Sequence, residues 1–158
     1  MQTYCSTQPC HARRHSAACR TGSVDFVAYR QRFPSRWNDN DVYGHLNNTI
    51  YYAAMDTTIN TWMIQRGGMD LAAGAVIGVC ASSSCEYERS ATFPDELEVE
   101  LGTGRVGTTS VTWELRIRVT GEADPIATGR FVHVFVDRTT RRPVAIPVQL
   151  RAAIGRDL

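Results

Sequence analysis

One long amphipathic segment, lying ahead of a strand-rich second half, most constrains the fold of this chain. Residues 48–66 carry apolar side chains at helical spacing, in two adjacent rows that together form one broad face. Asn47 or Asn48 can cap the start of this segment, and Gly67 with Gly68 can end it. The pattern therefore predicts a single helix of about five turns.

The segments after the helix show the alternation that is typical of strands. Apolar and polar residues alternate over residues 96–101 and 111–120, which predicts strands with one buried and one solvated face. Residues 76–87 alternate weakly, and the apolar run over residues 131–136 is typical of a central strand covered on both faces. Two further elements are predicted, a strand over residues 24–36 and a short helix after Pro147. This order predicts an α+β fold in which one helix covers a sheet of about five strands.

Length, charge and hydropathy exclude several classes of protein. A chain of 158 residues predicts one domain, and a net charge of +1 gives no reason to expect a nucleic-acid or membrane-surface partner. No apolar stretch reaches the roughly 18 residues that a membrane span needs. We therefore expect a single cytoplasmic domain over residues 23–158. Five strands and one helix leave a sheet edge uncovered, so we also expect copies to pair into a homodimer or homotetramer.

Residues 1–22 differ in composition from the rest of the chain. They contain no Asp or Glu and lack the apolar core of a secretory signal. An arginine-bearing, acid-free segment also resembles an organellar transit peptide. We expect residues 1–22 to form a disordered tail.

The five cysteines are odd in number, which argues against a closed disulfide framework. Three of them lie in the tail near two histidines, in a spacing that fits no usual zinc finger, so no metal is expected. Cys80 and Cys85 are expected to be reduced and buried. Because they are five residues apart on a predicted strand, they are also expected to point to opposite faces.

A cluster of polar residues lies where a loop enters the predicted helix: Asp39, Asp41, His45, Asn47 and Asn48. The first backbone N–H groups of a helix have no intrahelical acceptor, so this end can bind a developing oxyanion. A carboxylate beside it can act as general base or nucleophile. The combination suits hydrolysis of an activated acyl group without a metal or cofactor. On composition alone, turn and capping roles stay open for the same residues.

The spacing of these residues resembles a family signature. It reads Asp39-x-Asp41-x-x-Gly44-His45-x-Asn47-Asn48-x-x-Tyr51, and it is similar to that of the 4-hydroxybenzoyl-CoA thioesterase-like group of hotdog-fold proteins. The resemblance extends over residues 24–137. It implies a hotdog fold, in which a five-stranded, mainly antiparallel sheet wraps around one long helix. It also implies an acyl-CoA thioesterase.

The resemblance assigns roles residue by residue. Asp41 matches the catalytic carboxylate, as general base or as nucleophile. Asn48 matches the residue whose backbone N–H binds the thioester oxygen. His45 is implied as a further catalytic-site residue, and Asn47 and Tyr51 as residues that contact the substrate.

Coenzyme A carries phosphates, so basic residues are expected near the mouth of the site. The resemblance implies this role for Arg89 and Arg105. Two alternatives keep the fold and change the function. A hotdog enoyl-CoA hydratase would need an Asp-x-Asn-Pro-x-His pattern that this chain lacks. A non-catalytic acyl-CoA-binding module is disfavoured because Asp41 is retained.

Overall fold

The computed structural model describes residues 29–158. Those residues form five strands and two helices: β1 (Tyr29–Pro34), α1 (Asn48–Gln65), β2 (Val76–Tyr87), β3 (Glu96–Val106), β4 (Ser110–Val119), β5 (Ala127–Asp137) and α2 (Val148–Asp157). A short 3-10 helix, Trp37–Asp39, lies between β1 and α1. The predicted tail, the predicted start of the domain and the first residues of the predicted first strand lie outside the described residues.

The five strands form one antiparallel sheet in the order β1-β3-β4-β5-β2. The predicted α+β class is confirmed, and α1 ends within one residue of its predicted end. The interpretation of residues 131–136 as a strand covered on both faces is wrong. Alternate residues of β5 are buried on the side of α1, but Val132 and Val134 on the other face are only half-buried, and the central strand is β4.

The apolar face of α1 packs on one face of the sheet. Trp62 is fully buried, and its ring meets that of Trp113 on β4 edge-on, with 5.6 Å between centroids. A Cβ on Gly129 of β5 would lie 2.0 Å from the Met55 sulfur, so a glycine is needed where the helix approaches the sheet. None of the helices within residues 29–158 combines the length and apolar character that crossing a bilayer requires.

The opposite face of the sheet is polar, as the alternation in β3 and β4 predicts. Arg30 and Arg118 both pair with the carboxylate of Glu100, at 2.9 and 3.0 Å. The two arginines cover Glu100, so this carboxylate is buried although it lies on the outer face. A buried charge needs such partners to offset its lost hydration.

β2 lies at the edge of the sheet and is mostly exposed. A β-bulge interrupts its pairing with β5 between Cys80 and Ser82. Because Ala81 is the extra residue, Cys80 and Cys85 lie on the same face of the sheet, as their register partners on β5 show. The expectation of opposite faces is therefore wrong. The expectation that both are buried is also wrong, because Cys80 is exposed and Cys85 is half-buried; both are free thiols.

Candidate active site

Asp41 opens a tight turn, residues 41–45, which we call the Asp41 turn. The Asp41 N–H donates to the His45 carbonyl (2.8 Å), and the Gly44 N–H donates to the Asp41 carbonyl (3.1 Å). Gly44 has a φ of +82°, a left-handed conformation that favours glycine. Carboxylate oxygen Oδ1 accepts the N–H of Tyr43 (2.8 Å) and that of His45 (3.5 Å). No residue between 29 and 158 donates a hydrogen bond to Oδ2, so the turn fixes the carboxylate and leaves one oxygen available.

The segment before β3 holds the Asp41 turn in place. Thr92 Oγ1 accepts a hydrogen bond from Asn40 Nδ2 (3.0 Å) and donates one to the Gly44 carbonyl (2.9 Å). The side-chain oxygen of Asn40 accepts the Phe93 N–H (3.1 Å). Thr92 therefore ties both the residue before the turn and the turn's glycine to a segment distant in sequence.

The carboxylate of Asp39 is buried and hydrogen-bonded to Arg36, which indicates a structural role. Its carboxylate accepts the Arg36 backbone N–H (2.7 Å) and guanidinium Nη2 (2.9 Å), and its side chain is 2% exposed. Its backbone carbonyl accepts the Asn47 N–H (2.8 Å). These contacts occupy Asp39 and fix the chain that leads into α1.

The start of α1 presents open backbone donors. Asn47 is the N-cap, and its Oδ1 accepts the Thr49 N–H (3.0 Å) and hydroxyl (2.8 Å). The N–H of Asn48, the first helical residue, has no acceptor among residues 29–158. With the positive end of the helix dipole, this amide can stabilise a negatively charged oxygen.

The Asp41 turn and the start of α1 border one cavity of about 280 Å³. Five predicted site residues line it: Asp41, His45, Asn48, Tyr51 and Arg89. Four residues that the sequence did not single out line it as well: Leu46, Tyr87, Glu88 and Ser90. The cavity thus places a carboxylate and a free helix amide at the same site.

Two tyrosines form an aromatic wall of the cavity. Tyr51 is 2% exposed, and its hydroxyl accepts the Ala91 N–H at 3.2 Å. Its ring meets the ring of Tyr87 edge-on, at 5.2 Å and 89°. The Tyr87 hydroxyl lies 3.5 Å from the Asn48 carbonyl, to which it donates. Burial raises the pKa of Tyr51 and raises the pKa of Tyr87 to about 12, so both phenols stay protonated at neutral pH.

The three predicted substrate-binding residues other than Tyr51 differ in position. Arg89 lines the cavity, but its Nη2 donates to Glu122 (2.7 Å) and to the Asp124 carbonyl (3.2 Å). Asn47 supports the site through the helix cap and does not line the cavity. Arg105 lies near the far end of β3, away from the cavity of its own chain, which borders the segment before β3.

The missed residues had weak signals in the sequence. Tyr87 ends a weakly alternating strand, and only its register on β5 shows that it faces α1. Thr92 lies 52 residues from its partner Asn40, so no local pattern could pair them. Within residues 29–158, no group of three or more Asp, Glu, His or Cys side chains is arranged to hold a metal.

Comparisons with known proteins agree with this architecture. The family described as the thioesterase-like superfamily matches residues 35–154. The PA5185 protein of Pseudomonas aeruginosa strain PAO1 is 47% identical, with a TM-score of 0.81, over 84% of this chain and 93% of its own. The PA2801 protein of the same species, a candidate thioesterase, is 32% identical, with a TM-score of 0.75, over 79% of this chain and 96% of its own. No curated protein sequence matches the chain.

A more distant structure shares the fold alone. Slr0204 of Synechocystis, a 1,4-dihydroxy-2-naphthoyl-CoA thioesterase, is 16% identical, with a TM-score of 0.74, over 81% of this chain and 96% of its own. The family match includes the Asp41 turn, α1 and all strands from β2 to β5. The chain therefore belongs to the thioesterase-like superfamily, as a thioester hydrolase built on the hotdog fold.

Proposed function

We propose that the protein hydrolyses an acyl-CoA thioester to the free acid and coenzyme A, with Asp41 as general base or nucleophile. One observation carries the proposal. Asp41 and Asn48 line the same cavity, and within residues 29–158 the Asp41 Oδ2 accepts no hydrogen bond and the Asn48 N–H donates none. Thioester hydrolysis needs a group that activates or replaces water and a donor for the carbonyl oxygen. These two residues supply both.

In the general-base route, Asp41 Oδ2 takes a proton from water as the water oxygen bonds to the thioester carbon. The carbonyl oxygen becomes an oxyanion and accepts the Asn48 N–H. When the C–S bond breaks, the sulfur leaves with the bond electrons and takes the proton back from Asp41. In the nucleophilic route, Asp41 itself forms the bond, the thiolate leaves, and water then hydrolyses the acyl-aspartyl anhydride.

The other predicted residues would bind and position the substrate. His45 lines the cavity beside Asp41, and Tyr51 walls it. Asn47 fixes the first turn of α1, and therefore the Asn48 amide. We propose that Arg89 meets the phosphates of coenzyme A, since it lies at the cavity with its side chain 49% exposed. Arg105 is far from this cavity within one chain, so its predicted contact requires a second copy.

The edge strand β2 supports a homodimer. Its 12 residues include one charged side chain, Glu86, and it leaves Val79 40% exposed. An edge with a single charged side chain favours pairing with another strand. Tyr87, the last residue of β2, lines the cavity, so a second copy paired here would lie beside the site. Light scattering at micromolar concentration should give the mass of a dimer or tetramer, and a monomer would contradict this part of the proposal.

A thiol-release assay over a panel of acyl-CoA substrates tests the activity. Wild-type protein should release coenzyme A from at least one of them, and Asp41→Asn should release it about 10²–10⁴-fold more slowly. Mass spectrometry of protein acid-quenched during turnover separates the two routes, because only the nucleophilic route adds the mass of the acyl group to Asp41. Hydrolysis by Asp41→Asn at the wild-type rate would refute the assignment. Binding without thiol release, or hydration of an enoyl-CoA, would support the two alternatives instead.

A further inference from the structure

We propose that Tyr87 determines which acyl groups enter the site, by walling the cavity against branched or ring-shaped groups next to the thioester carbon. The inference rests on the proposed acyl-CoA hydrolysis and adds to it a substrate class, unhindered straight-chain acyl groups. Tyr87 has no part in the proton transfers described above.

The lining of the cavity divides by chemistry. Glu88, Arg89 and Ser90 are polar, and they follow directly after the end of β2. Leu46, Tyr51 and Tyr87 provide the apolar part. A thioester carbonyl held between Asp41 and Asn48 sends its sulfur one way and its acyl carbons the other. The polar pantetheine arm suits the first group of residues, and the acyl carbons suit the second.

Within the apolar part, Tyr87 is the least buried residue and can be replaced without opening the core. Leu46 and Tyr51 are each 2% exposed and packed into the core, whereas Tyr87 is 43% exposed. Its ring leans edge-on against Tyr51, with 5.2 Å between the centroids, and this contact fixes its orientation.

The position of the Tyr87 hydroxyl indicates which carbons of a bound acyl group would contact the ring. The hydroxyl lies 3.5 Å from the carbonyl of Asn48, the residue whose N–H is proposed to hold the thioester oxygen. The ring therefore stands over the first turn of α1, close to the reacting carbon. Crowding there affects the carbons nearest the carbonyl more than the end of a long chain.

The Tyr87 phenol acts by shape and not by proton transfer. Burial raises its pKa to about 12, so it stays neutral at physiological pH. Replacing Tyr87 with Phe keeps the ring and removes the hydroxyl, and should leave the acyl preference unchanged. Replacing it with Ala removes the wall.

The test compares kcat/KM for hexanoyl-CoA, a straight chain, with kcat/KM for benzoyl-CoA, a ring at the carbonyl. Tyr87→Ala should raise the benzoyl-to-hexanoyl ratio by about tenfold or more, the scale of discrimination by pocket shape. Tyr87→Phe should keep the wild-type ratio. Glu86→Ala is the matched control, because Glu86 is the neighbouring residue of β2 and its side chain lies on the outer face. It should also keep the wild-type ratio.

The outcomes separate this inference from the proposed function. If Tyr87→Ala hydrolyses hexanoyl-CoA with an unchanged ratio, the role of Tyr87 is refuted and the hydrolase activity stands. If Tyr87→Ala fails to fold, Tyr87→Leu supplies the smaller side chain and should shift the ratio in the same direction. If wild-type protein binds these substrates without hydrolysing them, the ratio of their dissociation constants replaces that of kcat/KM. If wild-type protein neither hydrolyses nor binds either substrate, both proposals fail.

Discussion

At its C-terminal end, α1 is closed by its own chain. The N–H groups of Arg66 and Gly67 donate to the Trp62 carbonyl, at 2.8 and 3.0 Å, and the Met69 N–H donates to the Met63 carbonyl at 2.9 Å. At its N-terminal end, the Asn48 N–H finds no acceptor in residues 29–158, and Asn48 lines a cavity. One end of the helix, the sealed end, is closed by protein, and the other, the open end, lies at a cavity.

The two ends of α1 therefore have different roles. Leu150 of α2 packs so closely on Gly67 that an added Cβ would lie 2.5 Å from its Cδ1, so the sealed end contributes packing and stability. At the open end, the Asn48 N–H has no acceptor in residues 29–158, and Asn48 and Asp41 line one cavity; in the proposed function this amide acts only when a substrate binds. Substitutions at the open end should therefore change activity, and substitutions at the sealed end should change stability.

The largest expected effect comes from a matched pair of carboxylates. Asp41→Asn keeps an oxygen for the Tyr43 N–H but cannot take a proton from water, so kcat should fall about 10²–10⁴-fold with little change in melting temperature. Asp70 lies beyond the sealed end and accepts the N–H groups of Ala72 (3.0 Å) and Ala73 (2.9 Å). Asp70→Asn should keep the wild-type kcat. Thiol release and thermal denaturation measure both variants, and a comparable loss of kcat in both would break the comparison.

A matched pair of glycines should give the next largest effect. Gly44 and Gly68 have φ values of +82° and +67°. Alanine in this region costs about 1–3 kcal/mol. An added Cβ at Gly44 meets no atom within 4 Å, so Gly44→Ala should act by straining the Asp41 turn, and kcat should fall about tenfold or more because the carboxylate shifts.

Gly68→Ala should instead lower the free energy of unfolding, by about 1–3 kcal/mol, with the wild-type kcat per folded molecule. The Cβ would also meet the Gln149 side chain, which must move. Urea denaturation and thiol release distinguish the two variants. A Gly44→Ala protein with full kcat would show that the geometry of the Asp41 turn is not critical.

A smaller effect on kcat is expected from Thr92, whose hydroxyl holds the Asp41 turn from a segment distant in sequence. Thr92→Val keeps the shape of the side chain but loses the hydroxyl that joins Asn40 and the Gly44 carbonyl. We expect kcat to fall about three- to tenfold through misplacement of the carboxylate, with KM little changed. Thr92→Ser restores the hydroxyl and should restore kcat. If Thr92→Ser and Thr92→Val lose kcat equally, the hydrogen bonds do not position the turn.

The smallest expected effect is on the pH dependence of stability, through Asp70, which lies beyond the sealed end of α1. The N–H groups of Ala73 and Ala72 hold the pKa of Asp70 below its ordinary value of 3.8. Because the unfolded chain then binds the proton first, the stabilisation is complete above that ordinary value and is lost as pH falls through the folded pKa. Asp70→Asn should lower stability at neutral pH and flatten its decline in acid. Urea denaturation between about pH 2 and pH 7 checks this, and an unchanged acid decline would contradict it.

The sequence predicted the elements that depend on local pattern. The bounds of α1, the strand over 76–87 and the helix after Pro147 agree with the structure because periodicity and caps act over a few residues. The residues of the candidate site could be picked out from the sequence for the same reason. Asp41, His45, Asn48 and Tyr51 line one cavity and lie within a short stretch of chain at the start of one helix.

What the sequence could not supply depends on register between distant segments. Thr92 meets Asn40 across 52 residues, and Tyr87 reaches the cavity from an edge strand whose alternation is weak. The faces of Cys80 and Cys85 were predicted wrongly because a bulge leaves no signature in composition. Arg105 was assigned from resemblance alone, and its distance along β3 from the cavity follows from the fold.

The bulge in β2 also changes which residues of that strand face α1. Before Ala81, even-numbered residues such as Gly78 and Cys80 face α1; after it, odd-numbered residues such as Cys85 and Tyr87 do. If Ala81 were paired as an ordinary strand residue, the alternation would continue past Cys80, and Glu86 instead of Tyr87 would face α1. Ala81, an unpaired residue that lines no part of the cavity, thus determines which side chains of β2 face α1.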